Sequence, residues 1–287
     1  MSLNRIVTSW KGLLLVALLG WAYLPTLREL VDKWLNDPQY SHGILVPLFS
    51  LYLLRRNWDK LPQHPRPWPL AGYAVLAVAL ACRVLAAALY FTPLDGLSLV
   101  LCVAGMVLVA SGGATLRWTW QPLVFLLFMI PLPYQVERMM GAELQHIATV
   151  VSTFVLQCLG QPAIAEGNTI LIRDVRLGVV EACSGLRMLV TFAAFAVGAV
   201  MLLDRSWVVK LLVLVSAVPI ALVTNILRIT ATGLAHIVLH DSPQRGNVLE
   251  FIHDFNGWMM MPIGLAMLLL ELWLFRHLLI EPKKSAA

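Results

Sequence analysis

Charge is what this sequence has least of. Asp, Glu, Lys and Arg make up 13% of its 287 residues, about half the share of a soluble domain. That scarcity excludes a water-solvated globule. With 59% apolar residues and a mean hydropathy of +0.78, it leaves lipid as the main solvent. Cysteine is scarce too. The four cysteines make no C-x-x-C pair, which removes support from zinc and iron–sulfur sites, and Cys82 and Cys102 lie inside apolar runs where a cysteine is packing. There is no H-E-x-x-H. His236-Ile237-Val238-Leu239-His240 has the spacing of two ligands on one helix face but lacks the glutamate base, so no metal and no cofactor is expected. There is no G-x-S-x-G for a serine nucleophile, no internal repeat and no low-complexity stretch. The net charge of +5 falls in short clusters between apolar runs, the mark of cytoplasmic loops, so nucleic acid is not an expected partner.

What is present is a series of apolar runs long enough to read as spanning helices. The first, Gly12 to about Leu27, has Trp21, Tyr23 and Pro25 where a signal peptide would have small residues. It reads as an uncleaved span with its N-terminus inside. A mixed-charge stretch then leads to Asp37-Pro38-Gln39-Tyr40-Ser41-His42-Gly43. A short second span, Ile44 to Leu54, ends at Arg55-Arg56, the strongest cytoplasmic marker, before a Pro-rich loop. The third span, Leu70 to Phe91, contains Arg83, which must face protein or water. The fourth ends at Ser111-Gly112-Gly113, and the fifth runs from Trp118 to Ile130.

From Met140 to Cys158, apolar residues recur at 140, 144, 147, 151, 154 and 158. This is one face of an amphipathic helix, expected in the interface or against the bundle and not as an ordinary span. Residues 166–180 alternate as a short hairpin turning at Arg173-Asp174. The sixth span, Leu186 to Leu203, and the seventh, Trp207 toward Leu239, precede a polar connection from His240 to Asp254. The eighth runs from Trp258 to Leu274. The expected fold is an all-α membrane protein: about eight transmembrane helices, an amphipathic helix and a short extracytoplasmic hairpin. These form one domain with its core over about 37–275, cytoplasmic termini and no soluble C-terminal domain.

Loop charges put three reactive residues at one depth on the outer face. Cys183, in Glu181-Ala182-Cys183-Ser184-Gly185-Leu186-Arg187, precedes a helix whose dipole favours a thiolate, and Arg187 lies one turn along. The spacing alone fits an inert helix-capping cysteine equally well. Arg228, in Asn225-Ile226-Leu227-Arg228-Ile229, lies in an apolar span, where an arginine lines a polar cavity, pairs with Glu181 or Asp254, or snorkels. His253, in His253-Asp254-Phe255-Asn256-Gly257, suits proton exchange near neutral pH. A solvated interfacial histidine reads the same way, and His240 is its rival.

Together these motifs resemble the exosortase/archaeosortase family of membrane cysteine transpeptidases: the cysteine string, Asn225-x-x-Arg228-Ile229, His253-x-x-x-Gly257, and Tyr40-Ser41-His42-Gly43 followed by Pro47. The resemblance implies a protein-sorting enzyme of the inner membrane of Gram-negative bacteria, its catalytic residues facing the periplasm. Its substrates would be membrane-anchored proteins ending in a Pro-Glu-Pro motif, a helix and a basic tail. Cys183 would form a thioester, Arg228 would steady the oxyanion or the substrate carboxylate, and His253 would move the proton. Glu181, Arg187, Asn225, Ser41, His42 and Gly257 would bind substrate or support the site. The acceptor nucleophile is not implied. Two other classes fit the composition: a transporter or export-assembly protein in which Arg83 and Arg228 bind an anion and Cys183 is structural, and a membrane acyltransferase.

Overall fold

The computed structural model describes residues 10–172, 175–179, 185–239 and 245–278. They form two compact units, Met1–Pro133 and Tyr134–Ala287.

In the first unit, α1 (Trp10–Ala22) and α2 (Leu24–Asn36) meet at a 69° bend, so the first apolar run ends at Ala22, short of the expected Leu27. Pro25 sits in the first turn of α2, where its missing N–H is tolerated but where it cannot continue α1. A 3-10 segment, Pro38–Ile44, leads to α3 (Leu45–Arg56). Next come α4 (Pro69–Leu89) and α5 (Thr92–Phe125), the latter extended by a 3-10 turn, Leu126–Met129. A straight helix of α5's length would measure about 51 Å, well beyond a hydrocarbon core of about 30 Å. It is broken at Gly112, whose φ of 77° and ψ of −171° only glycine adopts easily. Beyond the break the chain doubles back: a Cβ on Gly96 would lie 3.0 Å from the Ile130 side chain.

Arg83 on α4 faces protein, as its burial cost demands. It pairs with Asp95 at 3.2 Å, lies 4.0 Å from the Tyr23 ring centroid, and donates to the Ala22 carbonyl that the α1–α2 bend leaves exposed. Thr26 donates to the same carboxylate. This network ties the bent pair to α4 and α5.

The second unit holds α6 (Tyr134–Cys158), β1 (Ala163–Glu166), β2 (Thr169–Ile172), β3 (Val175–Gly178), α7 (Leu186–Leu202), α8 (Trp207–Val238) and α9 (Arg245–Leu278). The strands form an antiparallel sheet in the order β1-β2-β3, with Ala163 opposite Ile172 and Ile172 opposite Val175. The expected turn at Arg173-Asp174 lies outside the described residues, and β1 is a strand that the alternation beginning at Glu166 did not include.

Two expectations are sharpened here. The apolar stripe of α6 faces outward, as in a helix that turns it to lipid and not onto the bundle: Met140, Ile147, Phe154 and Cys158 are exposed, while Gly141, Ala148, Thr149, Ser152, Thr153 and Leu156 are buried. In lipid no hydrophobic force draws apolar faces together, and small residues pack because they let helices approach. At 25 residues, α6 is also long and apolar enough to cross a membrane. The polar stretch before the eighth span is helical from Arg245 onward; His253 and Asp254 are therefore on α9, just ahead of its apolar part, Phe255–Leu278.

By length and composition, five helices among the described residues qualify as membrane spans, or six if the bent pair counts as one. About eight were expected. The 17-residue α7 and 12-residue α3 fall below span length, and Thr92–Met129 counts once despite its break.

Candidate active site

Three helices of the second unit converge on one turn of α8. Asn225 and Arg228 are three residues apart, hence on one face, and are buried at 1% and 3% exposure. Gly185, at the N-terminus of α7, takes φ 81°. A Cβ there would lie 3.1 Å from Asn225 Nδ2. Gly257 on α9 faces Arg228, and its Cβ would lie 3.1 Å from Nη2 and 3.3 Å from Cζ. Glycine at each place lets backbone approach a polar side chain that a methyl group would displace.

The helices are held in register below this level. Met188, Phe192, Ala196, Val213, Ala217, Ile220, Met260 and Leu268 form one apolar seam. The place of a Gly264 Cβ is filled by the Phe192 ring, 1.9 Å away, and Ser216 donates to Glu271 across α8 and α9. From Trp207 up to Arg228 is about 31 Å at 1.5 Å per residue, and from Gly257 down to Leu278 is the same. Arg228 and Gly257 thus stand about one hydrocarbon thickness from the end of the bundle that carries Arg205, Lys210 and Arg276.

The sheet lies against α6 and the upper part of α8. Ala163, Ile170, Ile172 and Val179 pack with Ala148, Leu156 and Ile229, and Ile229 directly follows Arg228. The described chain stops at Val179 and resumes at Gly185. Glu181 and Cys183 lie between, outside the described residues, as does His240. His253 is one turn before Gly257 on α9, hence on the same face of that helix; its side chain lies outside the described set. Arg187 is in the first turn of α7 and partly buried.

Ser41 and His42 belong to the first unit, in its 3-10 segment. Ser41 Oγ closes its own turn on the Pro38 carbonyl at 3.1 Å. The Trp34 ring occupies the space a Cβ on Gly43 would need, 2.3 Å away, and Trp34 Nε1 donates to the Met129 carbonyl at 2.9 Å. Tyr40 Oη accepts from the Leu132 N–H at 3.1 Å. His42 is 6% exposed and neither ring nitrogen makes a hydrogen bond. Burial pushes its imidazole below the ordinary value, and nearby backbone groups of Phe128 and Gln39 offset part of that. The folded chain therefore holds fewer protons here than the unfolded chain, and stability falls as pH drops through the ordinary value of 6.5. His42→Phe is expected to flatten this loss, read as the difference in detergent melting midpoint between about pH 7.5 and 5.5.

Gly185→Ala is the sharpest local test of the convergence. A methyl group at φ 81° costs about 1 kcal/mol in strain and meets Asn225. Activity should fall severalfold, and Asn225→Ala should relieve the contact part, so the two changes should couple in a double-mutant cycle.

Among the described residues no cluster of His, Cys, Asp and Glu could hold a metal ion. No curated protein and no solved structure matches the chain. The model of the transmembrane exosortase family matches residues 34–270. That span takes in the packed Tyr40-Ser41-His42-Gly43 turn, the cysteine corner and the whole meeting point of α7, α8 and α9: the chain belongs to the transmembrane exosortase family.

Proposed function

We propose that this protein is a cysteine transpeptidase of membrane-anchored proteins, with Cys183 as nucleophile, Arg228 as oxyanion donor and Arg187 and Asn225 as supporting groups. His253 is the proton shuttle. One observation carries the reading. Gly185, two residues after Cys183, backs onto Asn225, and Gly257, one turn after His253, backs onto Arg228. The two backbone segments that bear the reactive residues therefore close on the same turn of α8.

The chemistry follows from those roles. The Cys183 thiolate attacks the scissile carbonyl carbon, and the negative charge that develops on oxygen faces the Arg228 guanidinium. The C–N bond breaks as His253 gives its proton to the leaving amine, leaving a thioester and a neutral imidazole. An acceptor nucleophile, deprotonated by that imidazole, attacks the thioester; the C–S bond breaks, and the Cys183 thiolate and protonated His253 are restored. A site one hydrocarbon thickness from the basic end suits a substrate whose own helix lies beside the bundle. Its cleavage point, next to a Pro-Glu-Pro motif, then emerges at the periplasmic face of the inner membrane. In this topology α7, α8 and α9 each cross once, the two halves of α5 cross separately, α6 lies in the outer interface without crossing, and the sheet is periplasmic.

The transporter reading needs Arg83 to bind an anion, and Arg83 is already engaged by Asp95 and the Ala22 carbonyl. The deciding experiment is Cys183→Ala in membranes holding a reporter with the tripartite tail: uncleaved reporter beside normal enzyme level supports the assignment, and undiminished processing ends it.

A further inference from the structure

A threonine inside a buried helix has a partner at hand, because its hydroxyl can bond to the carbonyl four residues back. Thr149 and Thr153 on α6 and Thr224 on α8 all do so, each at 2.8 Å. Thr232, further along α8, does not. It is 6% exposed, and among the described residues its Oγ1 bonds to nothing. A buried hydroxyl left without a hydrogen bond destabilises the fold that holds it, so each such group calls for an explanation.

The position of Thr232 supplies one. Ile229 packs with the sheet, and a Cβ on Gly233 would lie 3.3 Å from Ile172 and 3.4 Å from Leu156. That face of α8 is turned to the sheet and α6. Arg228 and Thr232 each sit one residue earlier, about 100° round the helix, on the face that meets α9 at Gly257. The two helices run antiparallel, with Ser216 meeting Glu271 and Arg228 meeting Gly257. One more turn along α8 places Thr232 about 6 Å beyond Arg228, away from the basic end of the bundle. Asn225, Arg228 and Thr232 thus form one polar column above the apolar Val213, Ala217 and Ile220 that pack with α7 and α9. Thr191 and Thr230 also bury hydroxyls without a bond, but neither shares this place. Thr191 is about 9 Å below Gly185 along α7, and Thr230 lies about 200° round α8 from Arg228.

An extended peptide rises about 3.3 Å per residue. A chain whose scissile carbonyl lies at Arg228 therefore brings a peptide group two residues away to the level of Thr232. We propose that Thr232 is a substrate-binding residue, its hydroxyl bonding to a backbone amide or carbonyl of the extended peptide about two residues from the scissile bond. This rests on Arg228 standing at the reacting carbonyl. A hydroxyl both donates and accepts, so it reads the peptide backbone and requires that segment to be extended. It takes no part in bond making, and its contribution is binding held equally in the ground and transition states.

A side chain that weakens the free protein and strengthens the complex has a distinct signature. Thr232→Val keeps the shape and removes the lone hydroxyl, so its melting midpoint in detergent should be at or above the parent's while cleavage weakens. Full-length variants in membrane vesicles are assayed with the tripartite-tail reporter at varied surface density. Thr232→Val should raise KM about tenfold, the size of one lost hydrogen bond, with kcat and its pH profile unchanged. Thr232→Ser keeps the hydroxyl and should stay within about threefold of the parent. Thr191→Val removes a lone hydroxyl away from the site and should leave KM where it was. If Thr232→Val does not accumulate, Thr232→Ala is read the same way. An unchanged KM in the variant without the hydroxyl overturns the proposal, and so does an equal rise from Thr191→Val. A lowered melting midpoint alongside the loss overturns it too, as does a shifted pH profile with KM intact, which assigns the hydroxyl to proton transfer. Retention of uncleaved reporter by Cys183→Ala reads binding without turnover, and adding Thr232→Val should lower it about tenfold at limiting enzyme. If Cys183→Ala still cleaves, the nucleophile assignment falls, and the KM of Thr232→Val still decides the role of Thr232.

Discussion

Cys183→Ala is expected to lower cleavage of a membrane-anchored substrate by at least about a thousandfold, with the variant inserted and present at normal level. The size follows from the role. Removing a nucleophile removes the covalent path itself, and what remains is the rate that binding and oxyanion stabilisation give to water alone. Cys183→Ser is the companion variant. A hydroxyl keeps the shape but ionises so much less readily that the site cannot activate it, so it too should be inactive. Immunoblotting of reporter and enzyme in the same membranes separates loss of chemistry from loss of protein. Cleavage within a fewfold of the parent would remove Cys183 from the mechanism.

Arg228→Ala should cost about a hundredfold or more in kcat, the range found when a donor to a developing oxyanion is deleted. Arg228→Lys should recover little of it. The guanidinium offers a planar fork, whereas an ammonium is a point charge that is harder to desolvate, and Arg228 is nearly fully buried. The packing of α9 sharpens this expectation: with Gly257 backbone against the guanidinium, a lysine has no freedom to find the same point by another route. A fall in KM affinity with kcat intact would instead assign Arg228 to substrate binding. Activity within a fewfold in both variants would exclude it from the site. The level of folded protein needs to be followed here, since an alanine leaves a polar void among three helices.

Much of the molecule is legible in the residues because it depends on local chemistry. Apolar runs announce helices, and the Ser111-Gly112-Gly113 break announces where one ends, since a glycine-only backbone angle acts locally; Pro25 carried the same kind of signal, although the first span was expected to run past it to Leu27. The depth of Arg228 was reachable the same way: a rise of 1.5 Å per residue turns sequence distance from a charged loop into depth, and the proposed grouping with Cys183 and His253 rests on the same count. Gly185 and Gly257 were visible as glycines beside reactive residues, although nothing in the sequence says that one faces Asn225 and the other Arg228.

Other features depended on partners far along the chain. The stripe of α6 from Met140 to Cys158 was sound as periodicity but left open whether it meets lipid or the bundle, and only the packing of the Ala148 and Ser152 face shows that the small residues turn inward. Arg83 had no readable partner, for Asp95 lies across a helical turn and Ala22 across a bend. The sequence by itself determined a helical membrane protein, and the expectation of a cysteine, an arginine and a histidine at one depth rests on its loop charges. The tertiary structure alone decided that Gly185 closes on Asn225 and Gly257 on Arg228, because those are long-range contacts that no local propensity encodes.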